Sequence, residues 1–358
     1  MKTIKQIFLF SISFISIFIL SEIFIRTSNL ASVSSTEFYN DIGRGRRKNL
    51  NYLYFNEGFG VGRFNEYRYI GESNSPKKSN NTIRIALMGD SYVESFQIFE
   101  RDYFGEIAEN YLENKYPEKQ FEFLNFGRSG FDIANIYAYQ KTFVEKFNPD
   151  FILYMISNGD LEPKYSDPLR PRTIIENDSL VVSFNFKQQE IEVFEKTKFL
   201  TQNSSIFHML NNGRKKTKTT PFFAILLDKI YFWFNPENES TIFHSEQQVA
   251  EYQINLVTKK IIESLDTNKI IIVNRDLQEL PSQFERLCVD NGFDYFDLSK
   301  NLNLMKEQGN DPNEWKVTKK RGHWNQKAHK VVGKEIAKNI SNIIEYERIT
   351  PHNNVYKK

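Results

Sequence analysis

From residue 82 onward, short apolar segments alternate with segments of helical spacing, and few architectures accommodate such an order. The apolar segments are of the length and composition of buried strands, and they cover residues 82–88, 121–126, 151–156, 269–273 and 293–296. Segments with helical spacing of apolar residues lie between and after them, at 102–115, 133–147, 280–291 and 325–344. Strands alternating with helices predict a parallel sheet covered by helices on both faces, a three-layer α/β fold.

A long insert separates the third predicted strand from the fourth. It covers residues 161–268, which is too long for a simple crossover, so it must contain structure of its own. Its most apolar part is Pro221–Phe234, which is too short to span a bilayer and carries Asp228 and Lys229. We expect a lid helix that packs on the core, and a contact with the membrane surface is the alternative.

The N-terminus carries a second strong signal, an apolar stretch over residues 7–25 whose only charge is Glu22. Its length fits a helix that crosses the hydrocarbon layer, and Lys2 and Lys5 before it place the N-terminus in the cytoplasm. A cleaved signal peptide is the alternative, although it would have a shorter apolar region ending in small residues. Both interpretations place the rest of the chain outside the cytoplasm: a linker and extended arm at 27–81, then a globular domain at 82–348.

Composition excludes several kinds of protein. The 358 residues include 47 Lys and Arg against 45 Asp and Glu, so a net charge of +2 supplies no broad field for nucleic acid. The single cysteine, Cys288, excludes an intrachain disulfide and a cysteine-rich metal site, and the five histidines show no metal-ligand spacing. We therefore expect neither a metal nor another cofactor, and no nucleic-acid partner.

Ser91 and His323 are the residues that indicate chemistry. Ser91 follows the first predicted strand in the sequence Gly89-Asp90-Ser91-Tyr92, at the sheet edge where open parallel sheets bind ligands. A serine at such a turn presents its hydroxyl beside free backbone N–H groups, although a helix-capping serine fits the same sequence. His323 precedes the last helix, whose dipole favours a neutral imidazole, the form that accepts a proton.

Four motifs follow one another in a familiar order. They are Gly89-Asp90-Ser91, Asn125-Phe126-Gly127-Arg128-Ser129-Gly130, Asn158-Gly159-Asp160 and His323-Trp324-Asn325. In order and setting they resemble the blocks of the SGNH (GDSL) hydrolase superfamily. The resemblance implies a flavodoxin-like sheet, with Ser91 as nucleophile and His323 as general base. It also implies an oxyanion site formed by the N–H groups of Ser91 and Gly130 and the side chain of Asn158.

The sequence departs from the superfamily pattern in two places. The third block usually reads Gly-Asn-Asp, whereas Asn158 and Gly159 stand here in the opposite order. The aspartate that usually precedes the histidine by two or three residues is replaced by Lys320 and Arg321. His323 is then held by a backbone carbonyl, as in a Ser-His dyad, or by an acid from elsewhere, for which Asp311 and Glu314 are the candidates.

These observations lead to a hypothesis of function. We expect an extracytoplasmic serine esterase of a bacterial cell envelope, anchored by its N-terminal helix, which removes O-acetyl groups from a surface polysaccharide through an acyl-enzyme at Ser91. One alternative is an O-acyltransferase that acts on a surface glycan. Another is a catalytically impaired glycan-binding or assembly module, which the missing acid motivates, and a third is a lipase with an aromatic lid.

Overall fold

The computed structural model describes residues 2–28, 32–54, 57–165, 167–216 and 253–349. Before the α/β body come one long helix and two antiparallel hairpins. Their bounds are α1 (Lys2–Thr27), β1 (Thr36–Tyr39), β2 (Gly43–Arg46), β3 (Leu50–Tyr54) and β4 (Gly60–Phe64). β1 pairs with β2 and β3 pairs with β4. We call these two hairpins, with residues 36–54 and 57–64, the arm; they lie within the segment 27–81.

The body follows the predicted alternation of strands and helices. Its first part consists of β5 (Thr82–Gly89), α2 (Ser91–Glu94), α3 (Phe104–Lys115), β6 (Gln120–Asn125), α4 (Ile133–Thr142) and β7 (Phe151–Ile156). The insert then contributes β8 (Arg172–Glu176), β9 (Ser179–Ser183), α5 (Gln188–Asn203), α6 (Ser205–Lys216) and α7 (Leu256–Ser264). The chain continues with β10 (Ile270–Asn274), α8 (Ser282–Asp290), β11 (Asp294–Asp297), α9 (Ser299–Glu307), β12 (Glu314–Trp315), β13 (Lys320–Arg321) and α10 (Gln326–Ile349).

Five of these strands form one parallel sheet in the order β11-β10-β7-β5-β6. The order reverses at β5, as it does in flavodoxin-like sheets, and ligands bind at such reversals beyond the carboxyl ends of the strands. The predicted three-layer α/β fold is therefore confirmed. Each predicted strand lies within one residue of an observed one, because short apolar runs bounded by turns are typical of buried parallel strands.

Successive side chains of a strand point to opposite faces, so each face of the sheet has its own core. On β5, Ala86 and Met88 belong to the core beneath α4, α7 and α8, whereas Ile85 and Leu87 belong to the core beneath α3, α9 and α10. All six residues of β7 are buried. This two-sided burial holds β5 and β7 rigidly, and the segments that follow them carry two of the four motifs.

The insert packs on the body next to α4. Thr173 Oγ1 donates a hydrogen bond of 2.9 Å to the carbonyl of Ala134, and Thr258 Oγ1 donates one of 2.7 Å to the carbonyl of Leu161. The segment Pro221–Phe234, for which we expect a lid helix, lies outside the described residues.

An acidic cavity of about 310 Å³ lies outside the sheet edge beside α3. It is lined by Glu106 and Glu109 of α3 and, among other residues, by Glu72, Glu100 and Glu122. Burial raises the pKa of Glu106 to about 7 and that of Glu109 to about 8, and the surrounding glutamates add to both shifts. Glu109 is therefore mostly protonated at neutral pH in the folded protein, and Glu106 is partly protonated.

We expect Glu109→Gln to stabilise the protein at pH 8 but not at pH 5. Between the ordinary pKa of 4.5 and the folded value of about 8, the folded state binds more protons than the unfolded state, so stability falls as pH rises. Glutamine removes that dependence while still accepting from the N–H of Phe123. The measurement is the melting temperature, with an expected gain of about 2 °C or more at pH 8. An equal shift at both pH values would contradict the protonation of Glu109.

Candidate active site

Ser91 lies where β5 ends and α2 begins. Asp90 is the N-cap of α2, and its carboxylate accepts a 2.9 Å hydrogen bond from the N–H of Tyr92. Capping of this kind fixes the turn and leaves Ser91 as the first residue of the helix. The Ser91 side chain is partly exposed, so a substrate can reach it from the carboxyl edge of the sheet.

His323 meets Ser91 across 232 residues of chain. Its Nε2 lies 2.7 Å from Ser91 Oγ, within hydrogen-bond distance. The hairpin of β12 and β13 precedes His323, and the indole N–H of Trp315 on β12 donates to the His323 carbonyl at 3.0 Å. The ring of Tyr92 lies beside the imidazole, with ring centroids 4.8 Å apart. The structure thus brings the predicted nucleophile and base together.

Glu57 occupies the other side of the imidazole. Its Oε1 is hydrogen-bonded to His323 Nδ1, and its Oε2 accepts from the His323 backbone N–H at 2.8 Å. The Glu57 side chain is only 6% exposed. A buried carboxylate at Nδ1 fixes the ring orientation and leaves Nε2 free to accept the serine proton.

Glu57 replaces the two acids that the sequence suggested. The carboxylate of Asp311 binds the guanidinium of Arg321 at 2.7 Å and accepts from the Asn313 N–H at 3.0 Å. Glu314 lies on β12 with its side chain exposed. The expectation that Asp311 or Glu314 orients His323 is therefore wrong, because Arg321 engages the first and the second faces solvent.

Close contacts between the arm and the segment before His323 position Glu57. Glu57 follows β3 in the turn between β3 and β4, and Thr318 Oγ1 donates to its carbonyl at 2.6 Å. Gly58 lies against the Trp315 ring and the Gln97 carbonyl, where a Cβ would collide. Gly322 lies against the Glu57 carboxylate itself. The two glycines allow the arm and the segment before His323 to approach each other this closely.

We expect Gly322→Ala to lower kcat by about 100-fold, because misplacement of a catalytic group by roughly 1 Å has an effect of that size. A Cβ at position 322 would overlap Oε2 of Glu57 and push the carboxylate from the imidazole. Gly159→Ala is the control, since its Cβ would meet nothing closer than 3.9 Å, and its kcat should stay within about threefold. Ester hydrolysis by the two purified variants is the measurement, and equal activities would contradict the role of Gly322.

Gly130 and Asn158, the other predicted oxyanion residues, lie after β6 and β7. Gly130 has φ +74°, a left-handed conformation that favours glycine. Among the described residues, neither the N–H of Ser91 nor that of Gly130 donates a hydrogen bond. The Asn158 side chain is turned toward Glu279, whose carbonyl accepts from Nδ2 at 3.2 Å. The two backbone donors are thus available to a ligand, whereas Asn158 already uses one of its two amide hydrogens.

A buried carboxylate holds the loop that carries Gly130. Glu94, at the end of α2, binds Arg46 of the arm through two contacts of 2.7 Å and accepts from the Ser129 N–H at 2.8 Å. Burial alone would raise the pKa of Glu94, but Arg46 and Arg128 lower it to about 2. Glu94 is therefore ionised at neutral pH, and its contacts tie the arm to the Gly130 loop.

Arg275 forms a second buried network directly behind Ser91. Its Nη2 lies 2.6 Å from Asp90 Oδ2 and 3.1 Å from Asp160 Oδ2, and its guanidinium covers the Tyr92 ring at 4.3 Å. Asp90 and Asp160 follow β5 and β7, so Arg275, which follows β10, clamps three neighbouring strand ends together. This clamp fixes the turn on which Ser91 lies.

The sequence predicts Ser91 and His323 but does not predict Glu57, Glu94 or Arg275. The only local signal for Glu57 is its place in Asn56-Glu57-Gly58-Phe59-Gly60, an acid beside two glycines that permit close approach. The resulting line of carboxylate, imidazole and hydroxyl is the arrangement that activates a serine for attack on a carbonyl group.

No protein family model matches this chain, and no curated protein matches it. Among solved structures, the chain is similar to a two-domain esterase active on acetylated mannans (12% identity, TM-score 0.40), covering 77% of this chain and 53% of that one. It therefore spans about half the length of that esterase. It is also similar to an acetyl xylan esterase (15%, TM-score 0.34, 73% of this chain and 100% of that one). A third similar structure is a protein from Desulfitobacterium hafniense described as a putative lipolytic protein of the G-D-S-L family (10%, TM-score 0.33, 72% and 98%).

Proposed function

We propose that this protein is a serine esterase of the SGNH type that hydrolyses acetyl esters through an acyl-enzyme at Ser91. The observation that carries the proposal is the contact of one imidazole with Ser91 Oγ at 2.7 Å and with the buried carboxylate of Glu57. His323 accepts the hydroxyl proton as Oγ attacks the ester carbonyl, and Glu57 stabilises the imidazolium that forms.

The remaining steps use the same groups. The tetrahedral oxyanion would accept from the N–H groups of Ser91 and Gly130, with Asn158 as a third donor once its amide turns from Glu279. The alcohol leaves with the proton from His323. Water then enters, His323 removes its proton, and acetate leaves as Ser91 Oγ is restored.

We further propose that the substrate is an O-acetylated polysaccharide outside the cytoplasm and that α1 anchors the enzyme in the membrane. Residues Thr3–Thr27 are long and apolar enough to span a bilayer, and the apolar side chains of this helix are mostly exposed. The carboxylate of Glu22 accepts from the backbone N–H groups of Ser205 at 2.7 Å and of Ile206 at 3.1 Å. Glu22 of α1 thus caps the N-terminus of α6 in the insert. A helix with this structural role fits a retained anchor better than a cleaved signal peptide.

The alternative of a catalytically impaired module was motivated by the missing acid before His323. Glu57 at Nδ1 removes that motivation. No feature of the described residues favours transfer to a sugar over transfer to water, so hydrolysis is the function we propose.

The direct test combines labelling with product analysis on the full chain in detergent. A fluorophosphonate probe should label the wild-type protein and the control Ser95→Ala but not Ser91→Ala. The Ser95 hydroxyl donates to the Tyr92 carbonyl and takes no part in the proposed reaction. The wild-type protein should release acetate from a chromogenic acetyl ester and from an acetylated polysaccharide. Labelling that persists in Ser91→Ala would overturn the serine mechanism, and release from the chromogenic ester alone would overturn the polysaccharide substrate.

A further inference from the structure

The anchor, the insert and the arm meet at one junction. α6 begins beside Glu22 of α1, and Arg26 donates to the Asn203 carbonyl at 2.9 Å. The rings of Phe18 and Phe207 lie 5.8 Å apart, so the first turn of α6 runs back along α1. If α1 spans a membrane, this junction lies at the level of the lipid headgroups.

A cavity of about 410 Å³ opens at this junction, and we call it the junction cavity. Its volume lies within the range of small-molecule sites. Aliphatic and aromatic side chains provide much of its wall, namely Val33, Leu50, Tyr52, Leu53, Tyr54 and Phe96. Leu53 remains 51% exposed at the mouth of this wall. Such a wall is suited to an apolar chain.

Two polar groups at the cavity point to a ligand with a polar end. Ser205 lines the cavity and is completely buried, yet its Oγ has no hydrogen-bond partner among the described residues. A buried hydroxyl without a partner is costly, so a bound group that completes it would be stabilising. Arg26 also lines the cavity, and its side chain is 49% exposed. Within the part of the chain that the structure describes, two of its five N–H donors are used, by Glu22 and by the Asn203 carbonyl.

We propose that the junction cavity binds one phospholipid of the membrane, with a hydrocarbon chain against Leu50, Leu53 and Phe96 and the phosphate near Arg26. This proposal rests on the anchoring by α1 proposed above and is independent of the esterase chemistry. A phospholipid is the occupant because the cavity adjoins the end of the apolar helix, which membrane lipids would surround if α1 is the anchor. Guanidinium groups bind phosphate through paired hydrogen bonds.

The test uses the full chain in nanodiscs of phosphatidylglycerol and phosphatidylethanolamine, released into detergent and weighed by native mass spectrometry. We expect one retained phospholipid per wild-type chain. Leu53→Trp, which fills the cavity, should lower the retained fraction about tenfold, a loss of roughly 1.4 kcal/mol. Val289→Trp is the matched control, because Val289 is a similarly exposed apolar residue, 62% exposed, on α8. It should retain lipid like the wild type.

The outcomes separate this proposal from the others. Equal retention by wild type and Leu53→Trp, or no retention by the wild type, would overturn the lipid site. Resistance of the membrane-bound chain to extraction at alkaline pH reports on the anchor, and acetate release reports on the esterase. If the variants retain lipid as expected but the wild type releases no acetate, the lipid site would be supported and the esterase proposal would be contradicted. Melting temperatures of both tryptophan variants establish that they are folded.

Discussion

Ser91→Ala is expected to lower kcat for acetyl ester hydrolysis by about 10⁴- to 10⁶-fold, the range found when a triad serine is removed. The alanine leaves the turn intact, because Asp90 still caps α2 and Arg275 still clamps Asp90. Residual hydrolysis would come from the backbone donors and from binding alone. Steady-state hydrolysis of a chromogenic acetyl ester by the full chain is the measurement.

A double variant, Ser91→Ala with His323→Ala, tests whether the two residues act together. Since Ser91 and His323 act as one unit, His323→Ala should lose a similar factor, and the double variant should be no slower than the slower single one. Losses that multiply would indicate that the two residues act independently. Retention of more than about a tenth of the wild-type kcat by Ser91→Ala would contradict its role as nucleophile.

Glu57→Gln is expected to lower kcat by about 10⁴-fold, as replacement of a triad carboxylate by its amide does in an unrelated serine enzyme. The amide has nearly the same shape, but it carries no charge to stabilise the imidazolium. It also allows the imidazole to adopt the wrong tautomer, with the proton on Nε2. Binding of the ester does not involve Glu57, so KM should change little while kcat falls.

Asp311→Asn provides the matched control for Glu57→Gln. Asp311 belongs to the same region, but its carboxylate binds Arg321 and not His323. The kcat of this variant should stay within about threefold of the wild type, because a partly exposed ion pair contributes little to stability. If Asp311→Asn lost as much activity as Glu57→Gln, the assignment of the acid to the arm would be wrong.

The sequence is sufficient to predict the sheet, its helices and two residues of the site. Buried parallel strands are continuous apolar runs, so Phe151–Ile156 was predicted with its observed bounds. The pairing of Ser91 with His323 is instead what the resemblance of four motifs to those of SGNH hydrolases implies. The prediction of the sheet needs only local periodicity and the order of elements along the chain.

Glu57 could not be found in this way, because its position depends on tertiary contacts of the arm. It lies 266 residues before His323, ahead of the first strand of the sheet, and no periodic pattern links the two. The proximity of Asp311 and Glu314 in sequence favoured them, but proximity along the chain does not indicate where a side chain points. Arg275 and Glu94 were missed for the same reason, since buried ion pairs between distant segments leave no local signature.

The position of Glu57 on a hairpin has a consequence for how the enzyme would fail. The hairpin of β3 and β4 contributes no strand to the five-stranded sheet, so loss of its contacts with the body would remove Glu57 from His323 without breaking the hydrogen bonds among those five strands. Gentle heat or limited protease digestion would then give molecules with native circular dichroism and almost no turnover. Inactivation would then precede melting. A preparation with native circular dichroism would already have lost its hydrolytic activity.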